Sequence, residues 1–181
     1  MRTQYDQADV GRVIERLCAA IAEAFKPGEA LSIIGIRTRG EVLAQRLTER
    51  LRGLGFGKIG RGVLDITLYR DDLADAGAKA VVQPTEVDFD INAKPMVLVD
   101  DVLFTGRSIR SALDAIIDLG RPSVIRLAVL VDRGGRELPI QADFVGLKLT
   151  DVSGEHRVNV LLVESDGRDE IVVKPKPGRR P

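Results

Sequence analysis

Val97-Leu98-Val99-Asp100-Asp101-Val102-Leu103-Phe104-Thr105-Gly106-Arg107-Ser108-Ile109 decides how this chain folds. An apolar run ends in two adjacent carboxylates, crosses a short Thr-Gly-Arg-Ser loop and enters Ile109–Ile117, where apolar residues recur at helical spacing. The order is strand, acidic edge, anion loop, helix. The first helical N–H groups have no intrahelical partners and sit at the positive end of the helix dipole. Together with the Thr105 and Ser108 hydroxyls they suit a phosphate. Asp100 and Asp101 are acceptor-only groups, suited to sugar hydroxyls or to a water-coated Mg²⁺ beside them. The stretch as a whole therefore suits a sugar phosphate. Two plainer arrangements share some of its parts: a receiver-like domain whose acidic pair binds Mg²⁺, and a strand-to-helix turn capped by polar residues. A P-loop is excluded, because Gly106 is followed by Arg107 and not by Lys and a hydroxyl residue.

Working outward, the pattern alternates. Val10, Val13, Ile14, Leu17, Ile21 and Phe25 mark an amphipathic first helix ending near Pro27-Gly28, and Leu31–Ile36 reads as a strand. Val42, Leu43, Leu47, Leu51 and Leu54 have helical spacing, stopped by Gly53, Gly55 and Gly57. Val63–Tyr69 reads as a strand, and 75–90 as a flexible loop or hairpin, since large apolar residues do not recur there at regular spacing. Residues 94–99 form the strand of the opening motif, 108–119 its helix, and 124–131 a further buried strand. Residues 144–149, 158–163 and 170–173 supply late strands. Strand-helix repeats of this kind require right-handed crossovers and a parallel sheet. The segment from Lys174 to Pro181 is proline-broken and basic, and reads as a disordered tail.

Composition agrees with one globular domain spanning residues 1–173. The chain has 181 residues, 44% hydrophobic and 30% charged, enough for one sizeable core. Its 27 basic and 27 acidic residues balance, so no global field attracts nucleic acid. Cys18 is the only cysteine and His156 the only histidine, which excludes an internal disulfide and a Cys-based metal cluster. The amino terminus lacks a signal-peptide core and no apolar run reaches membrane length, so a cytoplasmic location is expected.

In open parallel sheets the ligand crevice lies beyond the carboxyl ends of the strands. Two further polar loops fall there. Thr38-Arg39-Gly40 follows the strand at 31–36, where an Arg on a tight loop can pair bidentately with a pyrophosphate or simply be solvated. Val131-Asp132-Arg133-Gly134-Gly135-Arg136 follows the strand at 124–131, where paired glycines let backbone approach a flat base or merely form a charged turn.

The acidic pair followed by Thr-Gly resembles the phosphoribosyl-pyrophosphate (PRPP) motif of type I phosphoribosyltransferases. The likeness extends further. Asp65-Ile66-Thr67-Leu68-Tyr69-Arg70-Asp71-Asp72-Leu73, residues 99–107, Gly120-Arg121-Pro122-Ser123 and the stretch from Leu127 to Ile140 are together similar to the PyrR family over roughly residues 8 to 173. Its members are uracil phosphoribosyltransferases, many of which also bind pyrimidine-operon leader RNA and regulate its attenuation.

The resemblance implies an α/β type I phosphoribosyltransferase fold, a central mainly parallel sheet flanked by helices, with a flexible hood at about 69–92. It implies conversion of uracil and PRPP to UMP and pyrophosphate with Mg²⁺, and a homodimer or higher homo-oligomer. On it, Asp100 and Asp101 would hold the ribose hydroxyls and, through water, the metal. Val102, Leu103 and Phe104 line the motif; Thr105, Gly106, Arg107 and Ser108 would hold the 5-phosphate. Thr38 and Arg39 would hold pyrophosphate, Arg70 would fold over it from the hood, and Val131, Asp132 and Arg133 would bound the base. Catalysis is expected from Asp100, Asp101 and Arg39. Purine-using relatives often place an acid where this chain has Phe104, which speaks against a purine.

The alternative is a UMP-responsive RNA-binding attenuation regulator with weak or no catalysis. Where RNA-binding members carry Thr, His and a nearby Arg on the first helix, this chain has Glu15, Ala19 and Ala24. Gly135 stands where they usually have His, and Gln141 replaces the next basic position. Arg136 remains as an RNA contact, so weak or absent RNA binding is expected. A catalytically silent PRPP-binding regulator is a further reading, against which the intact loops at 38–39 and 132–139 speak.

Overall fold

Strands of a parallel sheet are covered by helices on both faces, which is why Leu31–Ile36 is buried at every position. The computed structural model describes residues 2–69, 82–149 and 152–175. The chain runs β1 (Arg2–Tyr5), α1 (Gln7–Ala24), β2 (Leu31–Ile36), α2 (Arg39–Gly53), β3 (Ile59–Leu64), a 3₁₀ turn (Thr67–Tyr69), β4 (Pro95–Leu103), α3 (Arg107–Leu119), β5 (Val124–Asp132), β6 (Phe144–Lys148), β7 (His156–Leu161), the single turn α4 (Val163–Asp166) and β8 (Glu170–Pro175). Five strands form a sheet in the order β3-β2-β4-β5-β6, every neighbouring pair parallel. A second, antiparallel sheet has the order β1-β8-β7.

Alternation along each central strand sorts the core into two layers. Ile33, Val97, Val99, Ala128 and Leu130 meet α1 and α2, and that layer also takes Val158, Val160 and Ile171 from the small sheet. Ile34, Ile36, Leu98 and Val129 point the other way, onto Ile109, Ala112 and Ile116 of α3. Each large aliphatic side chain so enclosed contributes about 1.5–3 kcal/mol relative to exposure. The first helix begins at a reciprocal cap. The Asp9 backbone N–H donates to the Asp6 carboxylate at 3.0 Å and the Asp6 N–H returns a bond to Asp9 at 3.2 Å.

The strand order places a topological switch between β2 and β4. The chain leaves β2 toward one face through α2 and leaves β4 toward the other through α3, which opens a crevice at their carboxyl ends. How close α2 comes to β4 depends on Gly40. A Cβ there would lie 2.5 Å from the Val99 carbonyl oxygen, so only glycine lets the first turn of α2 rest on the strand just before Asp100.

Several boundaries differ from the sequence reading. The strand read at 63–69 is β3 at 59–64, followed by two irregular residues and the 3₁₀ turn; Gly60 and Gly62 concealed its start. That same pair of glycines accommodates the segment expected to be a loop away from the core. The ring of Phe89 lies over Gly60, Val87 lies against Gly62, and Ile91 is buried. Val87, Phe89 and Ile91 recur with period two, an extended signature. The hood expected at about 69–92 falls partly at 70–81, outside the described residues, as do Arg70 and the tail beyond Pro175; Lys174 and Pro175 themselves belong to β8. Of the late strands only β6 joins the main sheet, and β1 was not foreseen. No helix among the described residues is long and apolar enough to cross a membrane.

Candidate active site

A polar cleft of about 290 Å³ opens at the switch point. Ile36, Arg37 and Thr38 line it after β2, Asp65, Ile66 and Thr67 after β3, Asp100, Asp101 and Val102 at the end of β4, with Ser108 from α3 and Gln83. Thr38, Asp100, Asp101, Val102 and Ser108, all expected at the site, are thus brought together from three elements.

Asp100 is buried at 8% exposure and Asp101 is partly buried. The Asp101 N–H donates to Asp100 Oδ1 and the Val102 N–H to Asp101 Oδ1, both at 2.9 Å. Burial and the neighbouring Asp101 charge push the Asp100 carboxyl well above its usual range. Burial also raises Asp101, with Arg39 working against it. Two adjacent carboxylates held in this way favour a positive partner. Among the described residues no three His, Cys, Asp or Glu side chains converge on one point. An all-protein cage is therefore absent there, but the pair suits Mg²⁺, which keeps waters and takes further oxygens from substrate.

The loop after β4 turns at Gly106, whose φ of +92° is the left-handed region that glycine enters without strain. Gly106 is also the N-cap of α3 and has no side chain with which to cap it. Thr105 Oγ1 accepts from the Arg107 N–H at 3.3 Å, and the Thr105 carbonyl accepts from the Glu137 and Leu138 N–H groups at 3.0 and 3.1 Å. The Arg107 guanidinium pairs with Glu137 at 2.7 Å. The loop can therefore offer backbone N–H groups, the helix dipole and Ser108 to an anion.

Phe104 and Arg133 come together beside it. The Arg133 guanidinium carbon lies 3.9 Å from the ring centroid, and its Nη1 donates to the His156 carbonyl at 3.0 Å. Asp132 is fixed by the Gly134 N–H at 2.9 Å and by Arg136 at 2.7 Å. Leu103 and Val131 are interior and support the loops from beneath. Arg136 is turned inward. It donates to the carbonyls of Ile140 and Phe104, both at 2.9 Å, as well as to Asp132.

Arg39, next in the chain to Thr38, does not itself line the cleft; it is held in a two-point pair, Nε to Asp166 Oδ2 at 3.1 Å and Nη2 to Asp166 Oδ1 at 2.8 Å. That partner was not foreseen. Four polar cleft residues, Arg37, Asp65, Thr67 and Gln83, were also missed. Arg37 donates to Gln83 and to Glu86, each at 2.7 Å, from the loop that the sequence reading entered one residue later, at Thr38. Asp65 accepts from the Thr67 hydroxyl at 2.6 Å and from the Thr67 and Gln83 N–H groups. Burial works against ionisation of Asp65, but these bonds and nearby Arg37 bring its carboxyl below the usual range. An acid at the carboxyl end of a parallel strand was the available signal, masked when 63–69 was read as one strand.

The phosphoribosyl transferase domain family matches residues 2–164. Among curated proteins, the Bifunctional protein PyrR of Clostridioides difficile is 48% identical over 169 residues, covering 93% of this chain and 95% of that protein. The protein of the same name from Deinococcus radiodurans is 51% identical over 161 residues, 89% and 87% of the two chains. Among solved structures, the hypoxanthine phosphoribosyltransferase of Trypanosoma cruzi superposes with a TM-score of 0.71 at 17% identity, covering 97% of this chain and 98% of that one. That last likeness bears on the fold alone.

Proposed function

From a chain that belongs to the PyrR family of type I phosphoribosyltransferases, we propose a uracil phosphoribosyltransferase that converts uracil and PRPP to UMP and pyrophosphate. The observation that carries this reading is the Asp100–Asp101 pair, set between the Arg37–Thr38 loop and Ser108 of α3 in one polar cleft.

In this reading Asp100 and Asp101 accept the ribose hydroxyls, and their charge sits where positive charge builds on the anomeric carbon. Backbone N–H groups of the 105–108 loop and the Ser108 hydroxyl hold the 5-phosphate. Thr38 and Arg39 hold the pyrophosphate. Positioning and fixed electrostatics thus carry most of the rate enhancement. Asp100 and Asp101 would hold Mg²⁺ through water, and the ion would neutralise charge on the departing pyrophosphate. The stacked Phe104 and Arg133, with Asp132, border the base. No carboxylate stands at position 104 to act on a purine ring, which favours the smaller, weakly acidic uracil.

The test is direct. Protein, PRPP, Mg²⁺ and uracil are mixed and UMP is followed, with Asp101→Asn as control. UMP from the wild type and a loss of about 100-fold or more in the variant supports the reading; no UMP from well-folded wild type overturns it.

The shared name Bifunctional protein PyrR favours a second reading, nucleotide-dependent RNA binding in addition to catalysis. Two polar groups on the surfaces concerned are already engaged: Glu15 pairs with Arg50 at 2.6 Å, and Arg136 is spent inside its own loop. A UMP-stimulated, salt-dependent gel shift of a pyrimidine-operon leader RNA would establish this activity, and an unchanged mobility would remove it.

A further inference from the structure

Arg39 and Arg46 lie seven residues apart on α2, so both face the same way, toward the turn that joins β7 to β8. They serve that turn differently. Arg46 binds two carboxylates, Glu164 through Nε at 2.8 Å and Asp169 through Nη1 and Nη2 at 2.8 Å each; its side chain is 12% exposed. Asp169 also accepts from the Val163 N–H at 2.8 Å. The largely enclosed Arg46–Asp169 pair, with the more exposed Glu164 beside it, bolts the turn to α2.

Asp166 is already fixed before any ligand arrives. Its Oδ2 accepts from the Leu162 N–H at 2.9 Å, and its own N–H donates to the Leu162 carbonyl at 2.7 Å. Onto this preset carboxylate Arg39 places Nε and Nη2, at a point where the Arg side chain is still 37% exposed. A half-exposed ion pair adds little to stability, and Arg46 already anchors the turn. The pair therefore answers a need other than holding the fold together. A guanidinium carries five N–H donors in a planar fork. Asp166 takes the Nε/Nη2 edge, which leaves the Nη1/Nη2 edge able to meet a second anion in two-point fashion. Arg39 directly follows Thr38, which lines the cleft together with Asp100 and Asp101, and the charge of Asp101 acts on it.

We propose that Asp166 is a positioning residue for PRPP and pyrophosphate: it holds the Arg39 guanidinium in the orientation that receives the diphosphate, without touching substrate itself. The proposal rests on the pyrophosphate role assigned to Arg39 above. An arginine has much rotamer freedom to lose when it grips a ligand, and Asp166 removes that freedom in the unliganded protein. The small antiparallel sheet, through the turn it carries, thereby becomes part of the substrate site.

Two effects of opposite sign meet at this carboxylate. Deleting its charge makes the site more positive, which alone would tighten anion binding; deleting its hold on Arg39 loosens it. The direction of change therefore decides whether Asp166 positions Arg39 or competes for it. Asp166→Asn retains an acceptor for the Leu162 N–H while losing the charge and the two-point hold. PRPP and pyrophosphate binding are measured by calorimetry with Mg²⁺, independently of turnover, and steady-state constants are measured in parallel. The expected result is PRPP and pyrophosphate affinity weakened about tenfold with the KM for uracil within about twofold. Asp166→Glu should restore part of the loss. In an Arg39→Ala background Asp166→Asn should add nothing, because its partner is gone. Asp169→Asn, which loosens the turn without touching Arg39, should lower Tm more than it alters PRPP affinity.

Unchanged or tighter PRPP binding in Asp166→Asn overturns the proposal. So does an equal rise in the uracil KM, or a loss that persists when Arg39 is Ala. Wild type that binds PRPP but forms no UMP removes only the uracil-transfer reading, and the binding arm still decides the role of Asp166. Wild type that binds neither PRPP nor pyrophosphate removes both.

Discussion

The guanidinium carbon of Arg133 sits 3.9 Å from the centroid of the Phe104 ring, joining the loop after β5 to the loop after β4. Arg133 is 5% exposed, and burial lowers its affinity for its proton. The ring face and the His156 carbonyl are the partners that offset that cost.

A double-mutant cycle measures this link. Phe104→Leu and Arg133→Gln should each destabilise the protein in urea unfolding, with a coupling energy of about 1 kcal/mol, as expected for a desolvated cation over an aromatic face. Additive effects would show that the two side chains are merely neighbours.

Two helical glycines should respond oppositely to alanine. Around Gly11 in α1 an added Cβ meets nothing within 4 Å, so Gly11→Ala should stabilise by about 0.5–1 kcal/mol through helix propensity. Gly40→Ala gains the same propensity but drives a methyl into the Val99 carbonyl, which cannot rotate away. A net loss of about 1–3 kcal/mol is expected, with PRPP binding impaired because the 37–39 loop is displaced from Asp100. Equal unfolding midpoints for the two variants would contradict this account of how α2 docks.

The acidic pair costs the unliganded fold stability, since two carboxylates are kept side by side where burial disfavours their charge. Asp101→Asn should therefore raise the unfolding free energy at neutral pH by about 1–2 kcal/mol while lowering turnover about 100-fold or more, a trade of stability for function. Differential scanning calorimetry without divalent ions reads the first effect, and a lowered Tm would show that the pair is not strained.

Acid sensitivity should arise at Arg46. Hydrogen bonds from its guanidinium hold the Asp169 carboxyl below the usual carboxylate range, burial notwithstanding, and do the same for Glu164. A carboxyl whose folded value is depressed contributes stability above its unfolded value of about 4, and that contribution disappears as pH falls through the folded value. Urea midpoints taken from pH 6 down to pH 3 should fall for wild type. In Asp169→Asn the unfolding free energies from the same titrations should start about 1–3 kcal/mol lower and fall less steeply with acid, because the titrating partner is gone. Parallel curves would assign the acid loss to other carboxylates.

The carboxyl-end location of the site was legible in the chain because its signals are local. Val97–Val99 is apolar on both faces, Asp100-Asp101 follows at once, and Thr105-Gly106 starts a helix whose apolar residues keep their spacing through Ile117. The boundaries of β2 and the far ends of α2 and α3 follow from the same short-range patterns. Illegible parts involve residues whose reason lies far along the chain. Gly60 and Gly62 look like strand breakers until Phe89 and Val87 lie over them, and β1 has no meaning until β8 pairs with it.

By itself the sequence determined the kind of fold and the chemical character of its main loop, because hydrophobic period, turn residues and the adjacent acids act within a few residues of one another. Tertiary structure decided which surroundings each functional side chain has. Arg39 meets Asp166 from 127 positions away, Arg37 reaches Gln83 and Glu86, and Arg136 turns inward to Phe104. The first pairing depends on how the two sheets dock through α2, the others on how loops at the ends of the main-sheet strands meet. That docking is set by core packing and close backbone approach, neither of which leaves a periodic mark in the chain.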